Sequence, residues 1–196
     1  MRRLRSSDQD RPIWLQDRTG GRKTCLVVWG LSMKMTLTRA EEFVCHKAAL
    51  ELAKDNNDYW QTREGGYSMD KSFHDLIAQD AQSIGSEWVV AKYLDLPFNP
   101  YENKYKIKAD VGSHFEVRWT KYVAGHLVVH EYDRPNDVAI LVTGESPNYF
   151  IAGWIPIAMA KRTKYRHSKQ PNWWVTQINL QPIENLRKSN YGQSAI

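Results

Sequence analysis

Lys108 to Lys121 reads KADVGSHFEVRWTK. From Phe115 onward its apolar residues alternate as they do in a strand, where residues two apart share a face. Glu116 and Arg118 therefore point one way, and Phe115, Val117 and Trp119 point the other way, into a core. Asp110 ends a preceding strand, across a turn containing Gly112 and Ser113, and a hairpin there brings it close to Glu116. Two carboxylates at short range repel, and one pKa rises unless a cation stands between them. Arg118 can neutralise one. A divalent metal engages both, and hard oxygen ligands favour Mg2+.

Downstream of Pro100 the period is two, with strands expected over 104–111, 113–121, 126–132, 137–143 and 148–154. Gly112, Gly125, Pro135-Asn136 and Ser146-Pro147 mark their turns. A short helix follows Pro156, then a strand in WWVTQI and a last turn over 182–187. Upstream, Thr38 and Glu41 form a capping box ahead of a helix over 38–54, with Ala40, Phe43, Val44, Ala48 and Leu52 at helical spacing. A polar connection leads to a second helix over 72–94, striped by Leu76, Ile77, Ala81, Ile84, Trp88, Ala91 and Leu94 and stopped by Pro97. Helices first, then a meander of strands, argue for a mixed α/β domain with a central sheet.

The 196 residues, 42% hydrophobic and 25% charged, suit one soluble domain with its own core. No apolar run reaches the roughly 18 residues of a membrane span. Cys25 and Cys45 show no framework spacing, so a reducing, cytoplasmic setting is the expectation. Residues 1–34 hold eight Lys/Arg against three Asp, which accounts for the whole net charge of +5. The other 162 residues carry 19 basic and 19 acidic side chains. Residues 1–34 read as a disordered arm or an extraneous extension, with an ordinary strand at CLVVWGL (25–31) as the alternative, and 35–196 read as a single domain. TGGRKT (19–24) has the wrong glycine spacing for a phosphate loop. The six histidines and two cysteines form no zinc pattern, and His114 reads as a surface residue.

Two further features bear on function. Glu87 stands on or beside the face of the second helix that must pack on the sheet, where an unpaired carboxylate is costly. KRTKYRHSK (161–169) holds Lys161, Arg162, Lys164, Tyr165, Arg166 and Lys169 with no acid, a local positive field suited to a nucleic-acid backbone. Tyr165 and Trp173 are available there to stack on bases. The bland readings are a solvated charge run, a surface salt bridge among Asp110, Glu116 and Arg118, and a helix-face Glu87 reaching solvent.

The ordered set GSEWVVAKYLDL (85–96), KADVGSHFEVRWT (108–120), HLVVHEYDRPNDVAILVTG (126–144) and FIAGWIP (150–156) resembles the PD-(D/E)XK nuclease superfamily. It looks most like small phage and mobile-element members, over roughly residues 74–187. The resemblance implies a restriction-endonuclease-like central mixed sheet flanked by helices, and Mg2+-dependent hydrolysis of DNA, with Mn2+ as an alternative ion. It makes Glu87 the helix-borne acid of the metal site, Asp110 and Glu116 the motif acids and the Val117 carbonyl a further ligand. Arg118 falls where the family has lysine. Arginine stays charged, so it can clamp a phosphate but cannot act as a base. An inactive nucleic-acid-binding module on the same fold is therefore the alternative, and an interaction domain with no nucleic-acid role a third. Such folds often dimerise, which leaves a homodimer open.

Overall fold

A computed structural model describes residues 32–55, 71–102 and 108–193. The expected arm and CLVVWGL lie outside them up to residue 31, as do most of the connection between the helices and residues 103–107. The boundary drawn at residue 34 falls inside a strand, β1 (Met33–Thr36), which pairs antiparallel with β5 (Asn148–Pro156), Met33 opposite Ile151. Two helices follow β1. The α1 helix (Arg39–Asp55) opens on the expected box, Thr38 N donating to Glu41 Oε2 at 2.7 Å. The α2 helix (Phe73–Leu94) has its own box, Ser72 with Asp75. It ends at Asp95, whose φ of 60° turns the chain left-handed two residues before Pro97.

The main sheet runs β1-β5-β4-β2, with β2 at Phe115–Thr120 and β4 at Val138–Glu145. The expected meander is not what forms. The β2 and β4 strands are parallel, Phe115 opposite Val138 and Thr120 opposite Thr143. Parallel neighbours need a crossover, and residues 121–137 supply it. Within that crossover β3 (Leu127–His130) leaves the main sheet and pairs antiparallel with β6 (Asn172–Val175).

The pattern of β4 explains this. Val138, Ala139, Ile140, Leu141 and Val142 are all buried, so both faces of the strand need cover. Val138, Ile140 and Val142 meet α1 and α2, together with Phe115, Val117, Tyr149 and Ile151. Ala139 and Leu141 meet Leu127 and Val129 of β3, Val175 of β6, and Ile157 and Ala160 of α3 (Ile157–Ala160). The result is three layers: helices, main sheet and a two-stranded ribbon. Gly85 lets α2 close on the sheet, since a Cβ there would stand 2.5 Å from the Tyr149 hydroxyl. That hydroxyl donates to Gln82 Oε1 at 2.8 Å.

Most of the strand expected over 104–111 lies outside the described residues. Residues 108–110 are irregular, and only Val111 bridges back to Phe115. Among the described residues, no helix is long and apolar enough to cross a membrane.

Candidate functional site

The turn before β2 is tight. Val111 N donates to Phe115 O at 3.0 Å, Phe115 N returns a bond to Val111 O at 3.2 Å, and Gly112 takes φ 59°. This folds Asp110 back along the strand, where its Oδ2 accepts from Val117 N at 2.7 Å. Phe115 and Val117 are buried against the helices, as alternation requires, so Glu116 and Arg118 emerge together on the ribbon side.

Three oxygens surround one nitrogen of Arg118. Its Nη1 lies 3.4 Å from Glu116 Oε2, 3.4 Å from the Val117 carbonyl and 3.7 Å from Asp110 Oδ2. The close bond is elsewhere: Nη2 donates to Asp133 Oδ1 at 2.7 Å. Asp133 is 3% exposed, and its other oxygen accepts from His130 N at 2.8 Å. Lys161 Nζ donates to the Asp133 carbonyl at 2.6 Å and to that of Glu131 at 2.8 Å. On the far side of Glu116, Arg134 Nη2 stands 3.7 Å from Oε1 while its Nε donates to Asp137 Oδ2 at 2.5 Å.

These contacts set the charge states. Burial pushes the Glu116 carboxyl up to about 7, helped by Asp110 and opposed by Arg118. Burial pulls the Arg118 guanidinium down, but Asp133, Asp110 and Glu116 outweigh it and hold the group above its ordinary value. The His130 ring, partly buried, is shifted below its usual range. It stacks flat on Tyr132, centroids 5.1 Å apart and planes within 3°.

The cluster opens into a cavity of about 650 Å³, walled by Asp110, Glu116, Arg118, His130 and Tyr132, with Gln79, Asp80 and Ser83 of α2 opposite. The helix-borne acid at this cavity is Asp80 rather than Glu87. Both occupy one face of α2, seven residues apart, and that separation is about 10 Å along the axis. Of the two, only Asp80 lines the cavity. Glu87 lies within electrostatic reach of Cys45 on α1, whose thiol is pushed up to about 12 by burial and by Glu41, Glu42 and Glu87. Among the described residues, no three His, Cys, Asp or Glu side chains gather as a metal-holding set, so the expected trio of Glu87, Asp110 and Glu116 is not assembled. Burial pushes Asp80 up to about 6, and it has no hydrogen-bond or ion-pair partner among the described residues.

The basic run divides. Lys161 turns inward to the loop that carries Asp133, as described above. Arg162, Lys164 and Tyr165 line a second cavity, Arg166 lies over the Trp173 ring at 4.5 Å, and Lys169 is exposed. His114 is half-buried rather than a surface residue, bonded to Ser113 Oγ at 2.8 Å and to the Tyr191 carbonyl at 2.8 Å.

Two contributors escape a reading of the sequence. Asp80 is indistinguishable from Glu87 by helical period alone. Asp133 sits in a turn, where aspartate is ordinary, although its place three residues after His130 is the spacing of a side chain that caps a turn. Comparison of the chain with known protein families, with curated proteins and with solved structures returns no match.

Proposed function

We propose that the chain is a divalent-metal-dependent nuclease acting on DNA, of the PD-(D/E)XK kind, on a restriction-endonuclease-like fold. One observation carries the proposal: the cationic Nη1 of Arg118 stands where two carboxylates and a carbonyl converge, at 3.4, 3.4 and 3.7 Å. Those separations are long for hydrogen bonds to a guanidinium. The donor set is all oxygen, and two carboxylates with room for water and a substrate phosphate are what Mg2+ usually takes. The residues present therefore fit Mg2+ or Mn2+, held by Asp110, Glu116 and the Val117 carbonyl, in place of Nη1.

When bound, such an ion lowers the pKa of a water and offsets charge on the phosphate being attacked. The rest is the work of side chains. Asp110 is oriented by the bond that its Oδ2 accepts from Val117 N. Asp133 anchors Arg118 through Nη2, leaving Nη1 to turn toward a phosphate oxygen, where a preorganised cation stabilises the transition state. Asp80, across the cavity and pushed up to about 6, is a further carboxyl that can exchange a proton close to neutrality.

The test is purified protein with labelled DNA and Mg2+ or Mn2+. Asp110→Asn and Glu116→Gln should each lower cleavage by about two to three orders of magnitude while the fold, read by circular dichroism, is kept. Cutting at the wild-type rate by both variants would end the assignment. A second reading is favoured by Arg118 itself, whose charge already neutralises the acids: a module that binds DNA without turnover. It predicts no calorimetric signal with Mg2+, and the appearance of both metal binding and cleavage in Arg118→Lys.

A further inference from the structure

A second cavity of about 540 Å³ lies beside α3, between the end of β5 and the segment that follows β6. Its walls differ in kind. One is apolar and aromatic, made by Trp154 and its neighbours on β5 together with Tyr165. The second carries Arg162 and Lys164, and the third the side-chain amides of Gln181 and Asn185. Among the described residues no acid lines it, and neither Arg162 nor Lys164 pairs with a carboxylate. The amides of Gln181 and Asn185 are likewise without hydrogen bonds among the described residues.

The cavity is built in advance of any ligand. Trp154 and Gln181 exchange backbone hydrogen bonds of 2.9 and 2.8 Å. The approach is possible because residue 153 is glycine, with φ +147° and a would-be Cβ 2.6 Å from the Gln181 carbonyl. Trp154 Nε1 is tied to the Pro182 carbonyl at 3.0 Å. The cavity also adjoins the first site along the chain, since Lys161, which holds the Asp133 loop, directly precedes Arg162.

We propose that this cavity binds one nucleotide. The phosphate lies between Arg162 and Lys164, the base lies against Tyr165 and the end of β5, and Gln181 and Asn185 hydrogen-bond its edge. Unpaired cations call for an anion from outside. The apolar wall beside paired amide donors and acceptors calls for a planar, hydrogen-bonding body attached to that anion. A bare phosphate would leave the first and third walls unused. The inference rests on the proposal that the chain acts on nucleic acid, and the nucleotide can come from the substrate strand or from solution.

The experiment uses the full chain carrying Asp110→Asn, so that no probe is cut, titrated with dAMP, with a short fluorescein-labelled single-stranded DNA and with inorganic phosphate. Saturable binding of dAMP identifies a site open to free nucleotides. Binding of the strand alone identifies a site for a nucleotide within it. In either case Arg162→Ala with Lys164→Ala should weaken binding roughly tenfold or more, and Gln181→Glu should do the same by placing an acid opposite the phosphate. The proposal is overturned if neither dAMP nor the strand binds, if phosphate binds as tightly as dAMP, or if both variants bind like the parent. Failure of the nuclease reading shows differently, as wild-type chain that binds nucleotide but does not cut DNA with Mg2+ or Mn2+.

Discussion

The cavity at the edge of β2 and the cavity beside α3 both carry cationic side chains, but the first surrounds Arg118 and Arg134 with Asp110, Glu116, Asp133 and Asp137. The second has no acid in its walls among the described residues. Charges that are saturated internally are part of the fold: removing one partner strands another in a partly dry site. Charges left open contribute little to the fold and are available to a ligand. The same residue types thus serve opposite ends in one chain, and which end depends on the neighbours that tertiary packing supplies.

Asp133→Ala leaves the Arg118 guanidinium without its close partner and should cost about 3–5 kcal/mol, the scale for opening a buried ion pair. Urea denaturation measures it. A cost under about 1 kcal/mol would place the Arg118 cluster among ordinary surface pairs.

Next comes pH. The folded chain keeps a proton on Glu116 up to about 7, whereas the unfolded chain releases it near the ordinary 4.5. Between those values the folded state binds more protons, so its stability falls as pH rises. The loss for this group is about 3 kcal/mol. Asp80, pushed up to about 6, adds to the fall in the same direction. Thermal or urea unfolding from pH 4.5 to 7.5 should show the decline, and Glu116→Gln should flatten its larger part. An unchanged profile in that variant would remove Glu116 as its source.

Lys161 connects the two regions and sharpens the contrast. Its two bonds to the carbonyls of Glu131 and Asp133 make it structural, although it belongs to the basic run. Lys161→Met should cost about 1.5–3 kcal/mol, the scale of hydrogen bonds from a charged donor. The smallest effect on stability is expected at two other cations of the same run. Arg162→Ala with Lys164→Ala should change unfolding by no more than about 0.5 kcal/mol. The pair should nevertheless lower the salt slope of DNA binding by about 2. If the pair proved as destabilising as Lys161→Met, the second cavity would not be an open cationic site.

Much of this arrangement can be read in the sequence. Alternation in FEVRWT places Glu116 with Arg118 and sends Phe115 and Val117 into the core, and Gly112 with Ser113 marks the turn that returns Asp110. Both helices follow from their period, the first also from the capping box at Thr38 and the second from its stop at Pro97. The parallel pairing of β2 with β4 does not follow, because VAILV signals burial on two faces without saying what covers the second. Asp80 could not be chosen over Glu87, since a helical period fixes the face of a residue but not its level against a sheet. The split of the basic run was equally hidden, because only the loop carrying Asp133 decides that Lys161 turns inward.

The sequence by itself determined which elements form and which side chains share a face, because those depend on backbone periods of two and 3.6 residues and on local capping. Tertiary structure decided which charges meet. Crossing layers bring Asp133 from beyond β3 onto Arg118 and, among the described residues, leave Arg162 and Lys164 without acids. Coulomb energies fall with distance and with access of water, and both of those are set by the packing of elements far apart along the chain.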